Sequence, residues 1–456
     1  MVLVSGRLRV GVAKVDITPP LDTPVAGSFN ERRAAGVDDP LYARALVLEC
    51  GDVRLALVAC DLICLPDVDV ARARAILTAR LDLPPAQVQF AATHTHTAAS
   101  PTGLLGTPRA DDYMAALPAR LASVVELATQ RLRPARLGSA SMWVEGVTFC
   151  RRFRMRDGTV QMNPSRGNPE ILQPVSPVDP ALTVLYFEDS ERQEPLALWA
   201  NFTLHYVGTD HADAISADYF GRFARIVEAG LGGKALALLT NGASGQINNI
   251  DIHDSHQPSG AHQAERVARV VAGSALAGAG LARLHENVTL GATSRMLQVE
   301  RRRVTDDDLR LAEQILLASG RQGIDALPAG SFSWLHGQAL PSSVVTAYAR
   351  EMPLLAALPA DLPAEVQAFR VGDVAIVSLP GEIFVELGLA IKAASPAPRT
   401  AVVGLANGYL GYVPDAPGFD AGGYETWAAR SQAVERGAGE ALVATANSLT
   451  KELFGS

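Results

Sequence analysis

Apolar runs of strand length alternate with amphipathic helical stretches along most of the chain, the pattern of an α/β protein whose sheets are covered by helices. Residues 45–48 and 55–59 are unbroken apolar runs and read as buried strands. Val70, Ala73 and Leu77 then recur at three-to-four spacing, one face of a helix. Val88–Ala92 is the next strand and residues 113–132 the next helix. Residues 154–180 hold several prolines, are too polar for a core and read as loop, whereas 196–204 and 235–239 return to strand character.

Thr305 before Asp306, Asp307 and Asp308 marks a helix start, because a hydroxyl caps the first N–H groups and carboxylates favour the positive end of the helix dipole. Residues 366–370 and 374–379 flank Val371-Gly372-Asp373 and read as a hairpin. No internal repeat or linker interrupts the pattern. The expectation is one domain over residues 1–456, α/β and multilayer, with mixed sheets flanked by helices and the active site at the C-terminal ends of strands.

Composition narrows the class of partner. The 456 residues are 48% hydrophobic and 19% charged, the balance of a globular chain. A net charge of −8 with both signs interspersed offers no basic stripe to a phosphate backbone, which argues against nucleic acid. Cys50, Cys60, Cys64 and Cys150 form no C-x-x-C pair and no disulfide framework. Residues 1–10 lack the apolar core of a signal peptide, and no window holds the roughly 20 apolar residues of a membrane-spanning helix. A cytoplasmic protein is expected, with homo-oligomerisation left open.

Histidine is scarce, nine residues in all, yet two fall in Thr93-His94-Thr95-His96-Thr97. Positions i and i+2 of an extended segment share a face, so His94 and His96 are expected to reach one volume beyond the strand Val88–Ala92. By itself the H-x-H pair fits a metal or catalytic role and also a solvated turn. His205, Asn241 and Glu382 follow three other apolar runs in the same way. Imidazoles with one carboxylate and a place left for water are the ligand set of a catalytic zinc; taken singly, His205 also reads as a buried, hydrogen-bonded histidine and Glu382 as a charge at a helix N-terminus. Competing motifs are poorer. Gly278-Ala279-Gly280 has Arg283 where a dinucleotide fingerprint needs a third glycine, Gly242-Ala243-Ser244-Gly245 lacks nucleophile-elbow spacing, and no phosphate loop or H-E-x-x-H occurs. Asp251, His253, Asp254 and His256 read either as a second metal site or, running on to Pro258 and Gly260, as an exposed loop.

Gly11-Val12-Ala13-Lys14-Val15-Asp16-Ile17-Thr18-Pro19, Thr93-His94-Thr95-His96-Thr97, Ile215-Ser216-Ala217-Asp218-Tyr219 and Leu379-Pro380-Gly381-Glu382 follow one another in an order that resembles the neutral, non-lysosomal ceramidases. The likeness runs over nearly the whole chain. It implies a zinc-dependent amidohydrolase acting on a small N-acyl or lipid-like substrate, with Zn²⁺ held by His94, His205, Glu382 and Tyr424. Tyr424 falls in the counterpart of the family's tyrosine-rich segment, from Gly411-Tyr412-Val413-Pro414 to Gly423-Tyr424-Glu425. His96 is then expected beside the metal to polarise substrate or handle a proton, Arg151 as the active-site arginine, and His96 or Tyr412 as hydrogen-bond donor to the oxyanion.

Metal-activated water is expected to attack the carbonyl, with Glu382 or Asp218 taking the water's proton. Asp16, Asp61, Asp218 and Asn241 are expected behind the ligands, the three carboxylates either orienting the histidines or serving as structural caps. Two departures from the family stand out: Gln246 occupies the apparent place of a serine, and the family's C-terminal immunoglobulin-like domain is not expected. The same site also suits an ester or lactone, and a non-catalytic binding descendant is the remaining alternative. A deep apolar pocket lined by residues 101–107 and 331–340 would fit a lipid-like substrate, and a shallow polar one a small acyl compound.

Overall fold

Tyr42–Cys50 and Val53–Cys60 are apolar at nearly every position because both faces of these strands are covered. Leu46, Leu48, Leu55 and Leu57 turn to one side, into a core shared with Trp199, Leu290 and Phe369. Ala45, Val47, Ala56 and Val58 turn to the other, against Leu117, Leu121 and Val125 of the helix Asp111–Gln130. The same division repeats along Ala181–Asp189, Pro195–Phe202 and Leu236–Asn241. A computed structural model describes residues 1–319, 332 and 341–455.

Two sheets stack face to face. The larger has eight strands in the order Leu236–Asn241, Pro195–Phe202, Ala181–Asp189, Arg133–Trp143, Arg9–Asp16, Tyr42–Cys50, Val53–Cys60 and Val88–Ala92. The second has five, in the order Val2–Arg7, Asn287–Glu300, Asp361–Val371, Val374–Ser378 and Arg399–Val403. Both are mixed, with parallel pairs at their edges. Helices Asp67–Leu81, Asp111–Gln130, Asp218–Gly230 and Gly260–Leu281 cover the outer face of the first sheet. Val385–Ala394, Ser342–Ala356 and Ala438–Phe454 share a core with the outer face of the second. The layers therefore run helix, sheet, sheet, helix. Among the described residues no helix is long and apolar enough to cross a membrane.

Most of the predicted elements are present with ends moved by a few residues. The hairpin closes at Val371 and Val374 around Gly372, whose φ of +63° suits glycine. Thr305 and Asp308 form a reciprocal cap: the Thr305 hydroxyl accepts from the Asp308 N–H at 3.1 Å, and the carboxylate accepts from the Thr305 N–H at 3.0 Å. Gly278 sits inside a helix pressed against Met142 and Val184, a packing contact and not a phosphate turn. The stretch 154–180 departs from its loop reading. Arg152–Met155, Val160–Met162 and Ile171–Pro174 form a three-stranded sheet, and Phe153 and Met155 bury with Ile252 in a small core of their own.

One seam between the sheets is polar. Gln89 donates to Ser378 Oγ, the Phe90 N–H to Asn407 Oδ1 at 2.9 Å, and Asn407 Nδ2 to Gln367 Oε1 at 2.9 Å. Gln367 Nε2 in turn donates to the Val88 carbonyl at 3.2 Å. Arg74 completes the seam, bonding Val88 O through Nε and Nη2 and Glu365 Oε2 at 2.6 Å through Nη1, both side chains about nine-tenths buried. Truncating Glu365 to Ala strands the guanidinium, so Glu365→Ala is expected to cost about 3–5 kcal/mol. Urea unfolding measures it, and a loss below 1 kcal/mol, typical of an exposed pair, would show that the pair does not hold the sheets together.

Candidate metal centre and active site

The edge strand of the large sheet, Val88–Ala92, ends at Thr93, and His94 then adopts φ +75°. A non-glycine residue enters this region only when its surroundings impose it. Here the His94 N–H donates to the Leu62 carbonyl at 2.8 Å, and ring Nδ1 lies 2.6 Å from the Ile63 carbonyl. His94 and His96 do converge, with ring centroids 4.8 Å apart. They do so through a turn, which corrects the expectation of an extended segment with both rings on one face.

His205 enters from beyond Pro195–Phe202, its ring 4.3 Å from that of His94 and its Nε2 2.9 Å from His96 Nε2. Asn241, at the end of the neighbouring strand, accepts the Leu204 N–H and so fixes the chain just before His205. Glu382 comes from the second sheet, after Val374–Ser378. The site therefore lies where the carboxyl ends of strands from both sheets meet. Among the described residues His94, His96 and His205 are the group placed to share a metal ion, with one ligand atom of each within 4.8 Å of the others.

Hydrogen bonding determines which atoms are free. A carbonyl only accepts, so His94 Nδ1 is the donor to Ile63, and in the neutral ring Nε2 presents a lone pair. His94 Nε2 faces Glu382 Oε2 at 3.3 Å, an ion-pair distance. His205 Nδ1 is 3.6 Å from the same oxygen. Tyr409 donates to the other oxygen, Oε1, at 2.8 Å. Burial alone would raise the Glu382 carboxyl, but His94 and Arg151 more than offset it and hold its pKa below the ordinary value. Burial, assisted by the charges of His94 and Arg151, holds His96 and His205 well below theirs. His96 and His205, held neutral, and the ionised Glu382 converge with His94 on one point, a donor set that fits a divalent cation once His205 Nδ1 exchanges its bond from Arg151 for the metal.

Arg151 stands behind the imidazoles. Its Nη1 donates to His205 Nδ1 at 3.1 Å, its Nε bonds Glu425 at 2.7 Å, and its guanidinium lies 5.4 Å from the Tyr412 ring and 5.9 Å from that of Tyr424. Arg152 turns away to the carbonyls of Gly418 and Gly422, so of the two neighbours only Arg151 reaches the histidines. Tyr412 is the ladder partner of Glu382, and Tyr424 lies 5.7 Å from Tyr412, ring to ring. Burial pushes the Tyr424 phenol up to about 12 and that of Tyr412 well above its ordinary value, leaving both as donors.

Not every expected supporting residue has the expected role. Asp16 is exposed and accepts the Thr18 N–H, while Asp61 is buried and accepts from Tyr42 N–H and Arg44. These bonds fasten backbone and an arginine, so the expectation that the two carboxylates orient histidines is corrected. Asp218 accepts the Thr95 hydroxyl at 2.8 Å and the His96 N–H at 3.2 Å, holding the histidine loop by one side chain and one backbone group and touching neither imidazole. Gln246 accepts the Val385 N–H through Oε1 and donates to Ser176 and Glu386, and its carbonyl accepts the Arg151 N–H. Asp251 and Asp254 accept the N–H groups of His253 and His256 in local turns, as an exposed loop would.

Tyr409 and Glu425 were not anticipated from sequence. A cavity of about 90 Å³ opens on His94, His96, Glu382, Tyr409, Tyr412 and Tyr424, and Phe29, Thr102, Leu104 and Leu105 line it as well. Of the stretches expected to line a substrate pocket, 101–107 does so, while 331–340 lies outside the described residues except Phe332.

Solved structures share this architecture. The crystal structure of the neutral ceramidase from Pseudomonas aeruginosa superposes with a TM-score of 0.70 at 21% identity, over 98% of this chain and 75% of that one. A ceramidase complexed with C2 superposes with a TM-score of 0.72 at 21% identity, over 98% of this chain and 76% of that one. The chain has the neutral ceramidase fold. At this identity the likeness is one of fold. No family model matches the sequence, and no curated protein matches it.

Within this ceramidase fold the Asp218 carboxyl is raised from 3.8 to about 7, chiefly by burial. A raised folded pKa favours the folded state fully below the unfolded value, and this contribution is lost as pH rises through the folded one. In metal-free protein the stability of wild type relative to Asp218→Asn is expected to fall between pH 3.8 and about 7. Urea unfolding across that range measures it. A difference that does not change with pH would mean Asp218 is not perturbed by its burial.

Proposed function

We propose that the chain is a zinc-dependent hydrolase that cleaves an N-acyl, amide-type bond in the manner of a ceramidase. The observation that carries this reading is the convergence of His94, His96 and His205, one ligand atom of each within 4.8 Å of the others, with Glu382 Oε2 3.3 Å from His94 Nε2. Three imidazoles and a carboxylate gathered in one buried place are the donor types that hold a catalytic zinc. The ceramidase fold makes amide hydrolysis the expected chemistry for that cation.

His94, His205 and Glu382 would hold the metal, with a phenol as fourth ligand. Tyr424 is nominated by the sequence resemblance, and Tyr412 reaches the same cavity from the strand paired with Glu382. When bound, zinc supplies Lewis acidity, which polarises an acyl carbonyl and makes water a nucleophile near neutral pH. The chain's own residues do the rest. His96, a neutral imidazole at the cavity wall, is placed to take and return a proton. Arg151 keeps a fixed positive charge behind His205. The phenol not engaged by metal donates to the oxygen on which negative charge develops.

His94→Ala and His205→Ala are each expected to lose zinc, and to lose more activity than the ~10–100-fold typical when a partner behind a ligand is removed. Metal analysis after dialysis, together with hydrolysis of a panel of N-acyl and O-acyl substrates, measures both. Tyr412→Phe and Tyr424→Phe assign the fourth ligand, since the exchange that releases zinc removes it. Full activity of both histidine variants after treatment with chelator would end the metal reading. Turnover confined to the O-acyl members would replace the amidase with an esterase.

A further inference from the structure

The loop 101–109 contributes Thr102, Leu104, Leu105 and Thr107 to the lining of the cavity. Its backbone is left-handed at Gly103, Leu105 and Gly106, with φ of +70°, +53° and +92°. Glycine adopts such angles freely, whereas leucine does so only when other interactions impose them. The Leu105 N–H donates to Glu351 Oε1 at 2.9 Å. Glu351 is 1% exposed and forms a two-pronged pair with Arg430, Nε to Oε2 and Nη2 to Oε1 both at 2.8 Å. The same Arg430 Nη2 donates to the Gly103 carbonyl at 2.7 Å. Arg109 holds the start of the loop, bonding the Pro101 carbonyl at 2.9 Å and the buried Asp69 at 3.1 Å.

A buried ion pair from two distant segments thus fixes a strained leucine at the wall of the site. Leu105 packs with Phe29 on the cluster that contains Tyr348 and Trp427, and Phe29 lies 6.2 Å from the rings of both Tyr348 and Tyr424. The cavity so bounded measures about 90 Å³, less than the ~150 Å³ of an apolar cavity that admits benzene.

We propose that Leu105, fastened by Glu351 and Arg430, is the chain-length stop of the acyl site, so that the enzyme takes short acyl groups and rejects long fatty acyl chains. The proposal rests on the hydrolase reading for the identity of the ligand and on the cavity for its size. Glu351 and Arg430 act through Leu105 as positioning residues.

Calorimetric titration of the zinc-loaded protein with straight-chain carboxylates, from acetate to decanoate, reads the site without turnover. In wild type the affinity is expected to rise about fourfold per methylene at first and then to stop rising. Leu105→Gly suits the positive φ and removes the side chain, and its affinity should go on rising for as many further carbons as the isobutyl group vacates. Glu351→Gln keeps the side-chain volume and breaks the ion pair, and is expected to raise the ratio of decanoate to butyrate affinity. Leu105→Ala gives the same reading if the glycine variant melts early. Decanoate binding to wild type with no stop, identical profiles in wild type and variant, or no binding of any carboxylate overturns the proposal.

Hydrolysis of the matching acyl anilides is followed in parallel. A stop in binding without turnover of any anilide removes the hydrolase reading and leaves the wall standing. Turnover without a stop does the reverse.

Discussion

The arrangement depends on a polar seam between two otherwise apolar sheets. Buried amides are costly unless each donor and acceptor is matched, and Gln89, Gln367, Ser378 and Asn407 match one another and the backbone of Val88 and Phe90. Apolar packing alone would let the sheets slide, because hydrophobic contact has no direction. Directed bonds admit one register. That register sets the end of Val88–Ala92, which leads to His94 and His96, beside the end of Val374–Ser378, which leads to Glu382. Substrate chemistry thus inherits its geometry from bonds that never touch substrate.

At the meeting point the structure leaves attraction unsatisfied by design of its donors. Ile63 takes the proton-bearing nitrogen of His94, Tyr409 takes one oxygen of Glu382, and Arg151 takes Nδ1 of His205. Each bond orients one group and leaves His94 Nε2 and Glu382 Oε2 unspent. The neighbouring charges balance in the same way. Glu425, with no exposed surface, lies between Arg151 and Arg152, so the guanidinium behind His205 is partly neutralised and does not expel a cation from the site. Partial neutralisation of this kind is what a cation placed close to an arginine would need.

The strands were legible in the sequence because both faces of each are buried: residues 45–48 and 55–59 carry no polar interruption, and 88–92 carry one, Gln89. His94, His96, His205 and Glu382 were legible because scarce imidazoles and a carboxylate each followed such a run. The left-handed turn at His94 was not, since it is imposed by the carbonyls of Leu62 and Ile63, and nothing in Thr-His-Thr-His-Thr indicates it. Asp16 and Asp61 misled for a related reason: a carboxylate near a motif looks the same in sequence whether it bonds an imidazole or a backbone N–H. Tyr409 and Glu425 were hidden because each owes its role to a partner far along the chain, Glu382 and Arg151.

Gln246 bears directly on the chemistry. It stands where the resemblance expects a serine, and its side chain is fully engaged, capping Val385 and bonding Ser176 and Glu386, while its carbonyl holds Arg151. An amide in this role ties the segment after Glu382 to the strand end that carries Arg151. The bonds at position 246 are those of an aligning group, which accords with the proposed use of water as nucleophile. Glutamine there ties the backbone of Arg151 to the segment that follows Glu382, an alignment that a serine side chain is too short to make in the same way.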